Sequence, residues 1–411
     1  MNPLDGTLER YDLTALTLCS VGSHSALDVA FGARAQGLRN LIVTARGRER
    51  TYARYFARTV VEHGNVPERG ELADGGRFRE RGCFPERGCF PERGCFPERG
   101  CVDETLEVDA FADILRPDVQ EQLLARNVIF VPNRSFEVYL RERYSYDQIE
   151  RDMRVPFFGN RHLLRAEERD GIGNQYALLA RAGIRHPRKF DSPRAIDTLA
   201  MVKAPHAAVA FERAFFLCSS QAEYETQCAR VLAAGMVTAS GLAGARIEEY
   251  ALGPSVNLNF FWSPVLGELE LLGTDTRRQT NLDGLRALPP SQLAAAGAIP
   301  VRMEEAGHIA TTLTESMLEK AFDLGERFVR AAREGNPPGI IGPFALQCII
   351  TAGPPKDFVV YDVSLRIPGS PGTRYTPYSA YRWGRDVSVG ERIAMEVTFA
   401  RDHDRLEDVL T

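Results

Sequence analysis

Two runs of β-forming residues near the C-terminal end predict a hairpin. The first run is Gly342–Gln347, and the second is Phe358–Arg366. Between them lies Gly353-Pro354-Pro355, a combination that is typical of turns. Gln347 and Asp362 interrupt the apolar residues of the two runs. Two neighbouring strands that each carry an oxygen ligand can share one divalent cation.

Arg366 follows Asp362 at an even spacing, so both side chains are expected on the same face of the second strand. A carboxylate, an amide and a guanidinium on one face suit the chemistry of a magnesium-bound nucleotide. The alternative is an ordinary hairpin whose polar residues face water. The pattern alone leaves both interpretations open.

The N-terminal pattern predicts a βαβ unit. A β-rich run over Leu13–Val21 precedes a helical pattern over Ala26–Gln36, and Leu41–Thr44 reads as a second buried strand. Such units build parallel sheets that bind ligands at the carboxyl ends of their strands. The sequence therefore predicts an α/β domain with a ligand site at this edge.

His24 lies at that edge, between Ser23 and Ser25. Ser25 followed by Asp28 resembles a capping box, and the free backbone N–H groups of a helix start can hold a phosphate. His24 is therefore a candidate phosphate contact, and the alternative is that it only caps the helix. Ser135 follows the buried strand Val128–Val131, which places it at the same carboxyl edge.

A crossing into a second domain is predicted at Val155–Arg161, where Pro and Gly bracket a short apolar run. We therefore expect one domain over residues 1–150 and another over 151–411.

Lys203 ends a predicted strand and is placed to neutralise nucleotide phosphates, although a snorkelling surface lysine is the alternative. Glu248, Glu249 and Tyr250 end another strand, where the two acids could meet ribose hydroxyls or an adenine amine.

The remaining elements follow from helical and strand periodicity. They are helices at Asp113–Arg126, Asn174–Ala182, Gln221–Ala234 and Thr312–Arg333, and strands at Leu199–Val202, Val256–Trp262 and Leu269–Leu272.

A tandem hexapeptide, Cys-Phe-Pro-Glu-Arg-Gly, interrupts the first domain. Its cysteines are Cys83, Cys89, Cys95 and Cys101, and their uniform spacing of six argues against zinc, which favours pairs two to four residues apart. Repeats rich in Pro and Gly do not form a core, so we expect a disordered surface loop from about residue 63 to 102. The other four cysteines, Cys19, Cys218, Cys228 and Cys348, lie in apolar segments and read as small buried residues.

Composition sets outer bounds on function. The chain has 411 residues, of which 44% are hydrophobic and 26% charged, as in a soluble globular protein. A net charge of −5 gives no reason to expect nucleic acid or an anionic membrane as a partner. No apolar run approaches the ~20 residues of a membrane span, and the first ten residues lack a signal-peptide core. The expected compartment is the cytoplasm.

Taken together, the motifs resemble those of archaeal-type FAICAR synthetases, which are ATP-grasp ligases joining formate to AICAR (5-aminoimidazole-4-carboxamide ribonucleotide). The resemblance covers almost the whole chain outside the repeat. The residues that carry it are Gly22–Leu27, Val131-Pro132 with Ser135, Phe158–Arg161, Glu248–Tyr250 with Gly253, Asn281–Leu285, and Ile341–Phe344 with Leu346-Gln347.

The resemblance implies a parallel-sheet α/β domain of the pre-ATP-grasp type followed by an α+β ATP-grasp domain. It also implies a formyl phosphate intermediate in purine biosynthesis, and a homo-oligomer. The roles that it assigns are AICAR binding for His24, Ser135 and Asn281, ATP binding for Lys203, Glu248, Glu249 and Tyr250, and Mg²⁺ or Mn²⁺ binding for Gln347 and Asp362. Lys203 and Arg366 are the candidate catalytic residues.

The chain also departs from the family pattern. The family has a glycine- and arginine-rich loop after its lysine, whereas residues 204–214 contain no glycine. Asn133-Arg134 replaces a usual His-Gly, and Asp362 replaces a longer glutamate. Three functions stay open at this point: a FAICAR synthetase, a related ligase for another carboxylate or phosphoribosyl amine, and a non-catalytic nucleotide-binding relative.

Overall fold

A computed structural model describes residues 6–59, 99–168, 173–203, 215–293 and 305–411. Most of the predicted repeat loop and the glycine-free segment 204–214 lie outside the described residues. Residues 59 and 99, which border the repeat, hydrogen-bond each other in both directions at 2.9 and 3.1 Å. The two described residues that border the repeat therefore lie side by side.

Within the described ranges, the strands form three sheets. The N-terminal sheet is parallel with the order β3-β2-β1-β4, and the other two are antiparallel with the orders β5-β8-β6-β7 and β11-β10-β9-β12-β13. The strands are β1 Thr17–Val21, β2 Arg39–Ala45, β3 Glu104–Val108, β4 Val128–Phe130, β5 Lys189–Phe190, β6 Ala200–Lys203, β7 Phe215–Cys218, β8 Arg246–Glu249, β9 Ser255–Ser263, β10 Glu268–Gln279, β11 Glu305–Thr311, β12 Gly342–Thr351 and β13 Asp357–Ser364.

The helices cover the sheets and connect them. They are α1 Ala26–Ala35, α2 Pro117–Leu124, α3 Arg134–Arg141, α4 Tyr146–Asp152, α5 Gln175–Arg181, α6 Gln221–Ala233, α7 Ala239–Ala243, α8 Leu282–Arg286, α9 Pro290–Leu293, α10 Glu315–Gly335, α11 Pro377–Trp383 and α12 Val389–Asp402. Helix α10 packs its apolar face on the five-stranded sheet, where Phe328 stacks on Phe344 and Phe344 on Phe260.

The predicted elements are present, with shifted ends. The first strand begins at Thr17, because Leu13–Ala15 forms a 3₁₀ turn capped by Asp12. The helix predicted at Asp113–Arg126 begins at Pro117 instead, after a separate 3₁₀ turn over Phe111–Leu115. Proline suits the first helical position and holds the residue before it in an extended conformation, which breaks the helix there.

The capping box predicted at Ser25 and Asp28 is wrong. Ser25 has a φ of +67° and makes no side-chain cap. Its hydroxyl instead donates to the carbonyl oxygen of Pro368 at 2.6 Å, while Asp28 accepts the backbone N–H of Gly390 at 2.8 Å. Both side chains thus fasten the C-terminal region onto the N-terminal domain.

Helix α12 returns to the N-terminal domain and crosses α1 at very close range. A Cβ atom on Gly32 would lie 2.2 Å from the backbone of Gly390, and one on Gly390 would lie 2.1 Å from the backbone of Asp28. Only glycine permits this approach. On its other side, α12 buries Arg392, which pairs with the buried Glu270 at 2.8 Å. The C-terminal segment therefore belongs to the core between the parallel sheet and the five-stranded sheet.

Candidate functional site

One cavity of about 1730 Å³ lies where the three sheets meet. It is lined by His24 from the N-terminal domain, by Lys203 and Glu248 from the four-stranded antiparallel sheet, and by Gln347 and Asp362 from the five-stranded sheet. Pockets for single small ligands are typically ~300–1,000 Å³, so this cavity has room for more than one.

Gln347 and Asp362 are cross-strand partners on β12 and β13. This confirms the prediction that they lie on adjacent antiparallel strands. The register shifts directly after this pair, so that Tyr361 is an extra residue on β13. Such bulges re-aim neighbouring side chains beside functional sites. Gln347 is 4% exposed, and within the described chain its Oε1 atom has no hydrogen-bond partner.

Arg366 lines the same cavity and is buried. Its Nη2 atom donates to Glu167 at 3.3 Å, and its Nε atom has no partner among the described residues. Glu167 also accepts hydrogen bonds from the backbone N–H of Leu365 at 2.5 Å and from the Arg134 guanidinium at 3.4 Å. Burial raises the pKa of Glu167 to about 7. The positive charge of Arg366 opposes this rise, and the negative charge of Glu137 adds to it.

Lys203 and Glu248 form an ion pair on the neighbouring strands β6 and β8. The Glu248 carboxylate is 2% exposed and also accepts from Arg246 at 2.9 Å and from the Tyr176 hydroxyl at 3.2 Å. Arg246 in turn lies 3.8 Å over the Tyr176 ring. Glu248 therefore positions two cations at the cavity wall.

Glu249 and Tyr250 continue this wall into the following loop. Glu249 accepts the backbone N–H of Arg188 at 3.3 Å and lies 3.6 Å from Arg185. Tyr250 donates its backbone N–H to Leu199 at 2.9 Å. Both residues line the cavity. Their predicted roles in nucleotide binding remain predictions.

The three residues predicted to bind AICAR occupy different positions. His24 is exposed and lines the cavity. Ser135 is buried beside it and donates to the Ser23 hydroxyl at 2.5 Å, which agrees with the predicted shared strand edge. Asn281 precedes α8 with a φ of +40°, and its neighbour Leu282 lines the cavity.

Sequence reasoning missed a buried polar cluster on β9, β10 and β11. Asp275 is 0% exposed and accepts from Asn257 at 2.9 Å, from Asn259 at 2.6 Å and from His308. The other ring nitrogen of His308 lies 2.8 Å from Glu305. Although burial opposes a charge on His308, the bonds to Asp275 and Glu305 outweigh it and raise the pKa of His308 to about 9.

The described residues contain no group of three or more His, Cys, Asp or Glu side chains that could hold a metal ion. They also contain no helix that is long and apolar enough to cross a membrane.

Five described cysteines are free. Cys19, Cys218 and Cys348 are buried as predicted, whereas Cys228 and Cys101 are half-buried.

Comparison with known structures defines the class of fold. An IMP biosynthesis protein PurP from Thermococcus kodakaraensis superimposes with a TM-score of 0.65 at 26% identity, covering 96% of this chain and 100% of that one. The biotin carboxylase domain of a Hydrogenobacter thermophilus 2-oxoglutarate carboxylase superimposes with a TM-score of 0.55 at 13% identity, over 95% of this chain and 72% of that one. The second match shows fold alone. The fold is that of the ATP-grasp proteins, with the predicted parallel N-terminal domain.

Sequence comparison then defines the family. Two family models match, one described as a protein of unknown function (DUF1246) at residues 18–190 and one as a domain of unknown function (DUF1297) at residues 223–411. The 5-formaminoimidazole-4-carboxamide-1-β-D-ribofuranosyl 5'-monophosphate synthetase of Methanopyrus kandleri is 35% identical over 98% of this chain and 97% of its own length. That of Methanothermobacter thermautotrophicus is 33% identical over the same shares. The chain belongs to this family, the FAICAR synthetases.

Proposed function

We propose that the chain is an ATP-dependent ligase that joins formate to the 5-amino group of AICAR, giving FAICAR, ADP and phosphate. The observation that carries this proposal is the shared cavity. It brings together His24 from one domain with Lys203 and the facing pair Gln347 and Asp362 from the other. Full-length similarity to synthetases of this product supports the same conclusion.

The facing pair fits a divalent cation. Gln347 Oε1 is a buried acceptor without a partner in the described chain, and a carboxylate stands opposite it. Mg²⁺ is commonly held by one or two carboxylates together with substrate phosphates, so a larger cluster of acids is not required. Mg²⁺ or Mn²⁺ bound there would neutralise the triphosphate and orient its terminal phosphoryl group.

Cationic side chains supply the remaining electrostatic stabilisation. In the first step a formate oxygen attacks the terminal phosphorus and ADP leaves. In the second, the amine attacks the formyl carbon, the C–N bond forms, and phosphate leaves with the former formate oxygen. Charge develops on the transferred phosphoryl group and on the carbonyl oxygen. We assign the stabilisation of that charge to Arg366, whose Nε–H is buried, and to Lys203, which pairs with Glu248.

His24, Ser135 and Asn281 are proposed to hold the nucleotide that carries the amine. The bond between Ser135 and Ser23 fixes the rim of the parallel sheet on which His24 stands. An imidazole exposed at a cavity wall suits a phosphate or ribose contact. We expect the substrates to be small molecules, and we expect the homo-oligomer that the family resemblance implies.

The proposal is tested by ADP release. Purified protein with ATP and Mg²⁺ is given AICAR and formate together, and then each alone. We expect multiple turnovers only when both are present. Asp362→Asn should lower the rate by at least ~100-fold, whereas the control Asp357→Asn, at the exposed start of the same strand, should leave it unchanged. Multiple turnovers without AICAR, or with another carboxylate only, would overturn the assignment.

A further inference from the structure

A row of polar side chains crosses the face of the five-stranded sheet that lines the cavity. The strand register places Asp362 opposite Gln347, Gln347 opposite Asn257, and Asn257 opposite Asp275. Directly opposed residues share one face, and strands are ~4.8 Å apart, so the row spans roughly 14 Å. The proposed cation pair occupies one end of the row, and His308 lies at the other.

Under the proposed function, the two ends of this row would face different substrates. His308 hydrogen-bonds Glu305, which lies within electrostatic range of His24 on the opposite wall. The end near His308 therefore adjoins the proposed AICAR site, and the end near Asp362 adjoins the phosphoryl group. The proposed function therefore puts the base that carries the reacting amine between them, over the middle of the row.

Asn259 stands in this middle region, two residues along β9 from Asn257 and on the same face. Its Nδ2 atom lies 2.6 Å from Asp275 Oδ1, 3.3 Å from the Gly273 carbonyl oxygen and 3.5 Å from the Asn257 carbonyl oxygen. All three partners are acceptors. Reversing the amide would bring its oxygen against three oxygens, so its orientation is fixed by its surroundings.

The other side of this amide is an acceptor without a donor. Asn259 is 1% exposed and lines the cavity, and within the described residues its Oδ1 atom has no hydrogen-bond partner. Leaving a buried acceptor unpaired is costly, and a ligand that brings an N–H group removes that cost. The site thus favours a ligand group that carries an N–H donor.

We propose that Asn259 recognises the 4-carboxamide of the aminoimidazole substrate by accepting an N–H bond from it. This inference rests on the proposed function and adds its specificity determinant. A 4-carboxylate presents only acceptors to Asn259 Oδ1, and a nucleotide with hydrogen at this carbon leaves Oδ1 unpaired. Asn259 therefore selects the carboxamide from both.

Kinetics with two nucleotides test this role. The kcat/KM of wild type and of Asn259→Ala is measured with AICAR and with 5-aminoimidazole ribonucleotide, which lacks the carboxamide. Comparing each variant with wild type on the same nucleotide cancels differences in amine reactivity. We expect Asn259→Ala to lower kcat/KM about 10-fold for AICAR, the loss of one hydrogen bond. The other nucleotide should change less than about 3-fold.

Asn40→Ala is the matched control. Asn40 is also a buried strand asparagine, but its amide bonds Cys101 and Asp103 away from the cavity. Its variant should lose stability without changing the preference between the nucleotides. An equal loss on both nucleotides for Asn259→Ala, or an unchanged preference, would overturn the inference.

Wild-type binding gives a second test, which holds even where Asn259→Ala does not fold. Calorimetry should show the 4-carboxylate nucleotide binding at least ~10-fold more weakly than AICAR. Equal affinity would overturn the role of Asn259. Failure of the proposed function has a different signature, because wild type would then release no ADP with AICAR and formate.

Discussion

His308 should make the stability of the five-stranded sheet depend on pH in a specific direction. It is held between Asp275 and Glu305 at the cavity wall, with only 11% of its side chain exposed. Burial alone would lower its pKa, but the two hydrogen-bonded carboxylates raise it from 6.5 to about 9. His308→Gln removes the charge and keeps a neutral side chain that can still donate hydrogen bonds.

The magnitude follows from linkage. A pKa raised from 6.5 to about 9 stabilises the folded state by about 3 kcal/mol below pH 6.5, where the proton is bound in both states. This stabilisation falls as the pH rises from 6.5 to 9 and is absent above about pH 10. The unfolding entropy is ~2.1 cal/mol/K per residue. For a chain of 411 residues that unfolds together, losing this stabilisation should therefore lower the Tm by about 4 °C.

Differential scanning fluorimetry at pH 6, 8 and 10 measures this. The Tm of His308→Gln should lie about 4 °C below that of wild type at pH 6, less at pH 8, and within about 1 °C at pH 10. The exposed His403, outside the cavity, is the control, and His403→Gln should follow wild type at every pH. A gap that is constant with pH, or that widens toward pH 10, would refute the reasoning.

Three further outcomes are expected. His24→Asn should weaken AICAR binding about 10- to 150-fold in calorimetry, the loss of a hydrogen bond to a charged group, and leave ATP binding unchanged; equal AICAR affinity would remove His24 from the site. Replacing residues 60–98 by a short Gly-Ser linker should shift the Tm by less than about 2 °C, because the bordering residues already hydrogen-bond each other. A drop of ten degrees would show that the replaced segment has a structural role. Arg392→Met should lower the Tm by several degrees, because it leaves the carboxylates of Glu270 and Glu396 buried without their cation. Such a loss costs ~3–5 kcal/mol. A Tm within one degree of wild type would contradict this.

Local pattern was sufficient where neighbours in sequence decide the structure. The turn at Gly353–Pro355 and the strands beside it predicted the hairpin, and with it the antiparallel strands of Gln347 and Asp362. The βαβ pattern likewise predicted the strand edge at which Ser135 meets Ser23. In both cases the relevant contacts follow from strand direction and spacing alone.

Long-range contacts were not predictable in the same way. Ser25 has the residue type of a helix cap, but its hydroxyl bonds Pro368, which lies 343 positions away. Asn257 and Asn259 alternate with apolar residues as on any wet strand face. Only the register with β10 brings them onto Asp275 and turns a polar face into a buried cluster. Their spacing on β9 was the one available signal.

The central claim is that formate is activated by ATP and transferred to AICAR, and isotope transfer tests it most directly. The protein is supplied with ATP, Mg²⁺, AICAR and formate carrying ¹⁸O at both oxygens, and the products are analysed by mass spectrometry. The account predicts one ¹⁸O atom in the phosphate and one in the formyl group of FAICAR, with one ADP for each FAICAR. Phosphate without ¹⁸O, or ADP formed without a formylated nucleotide, would contradict it.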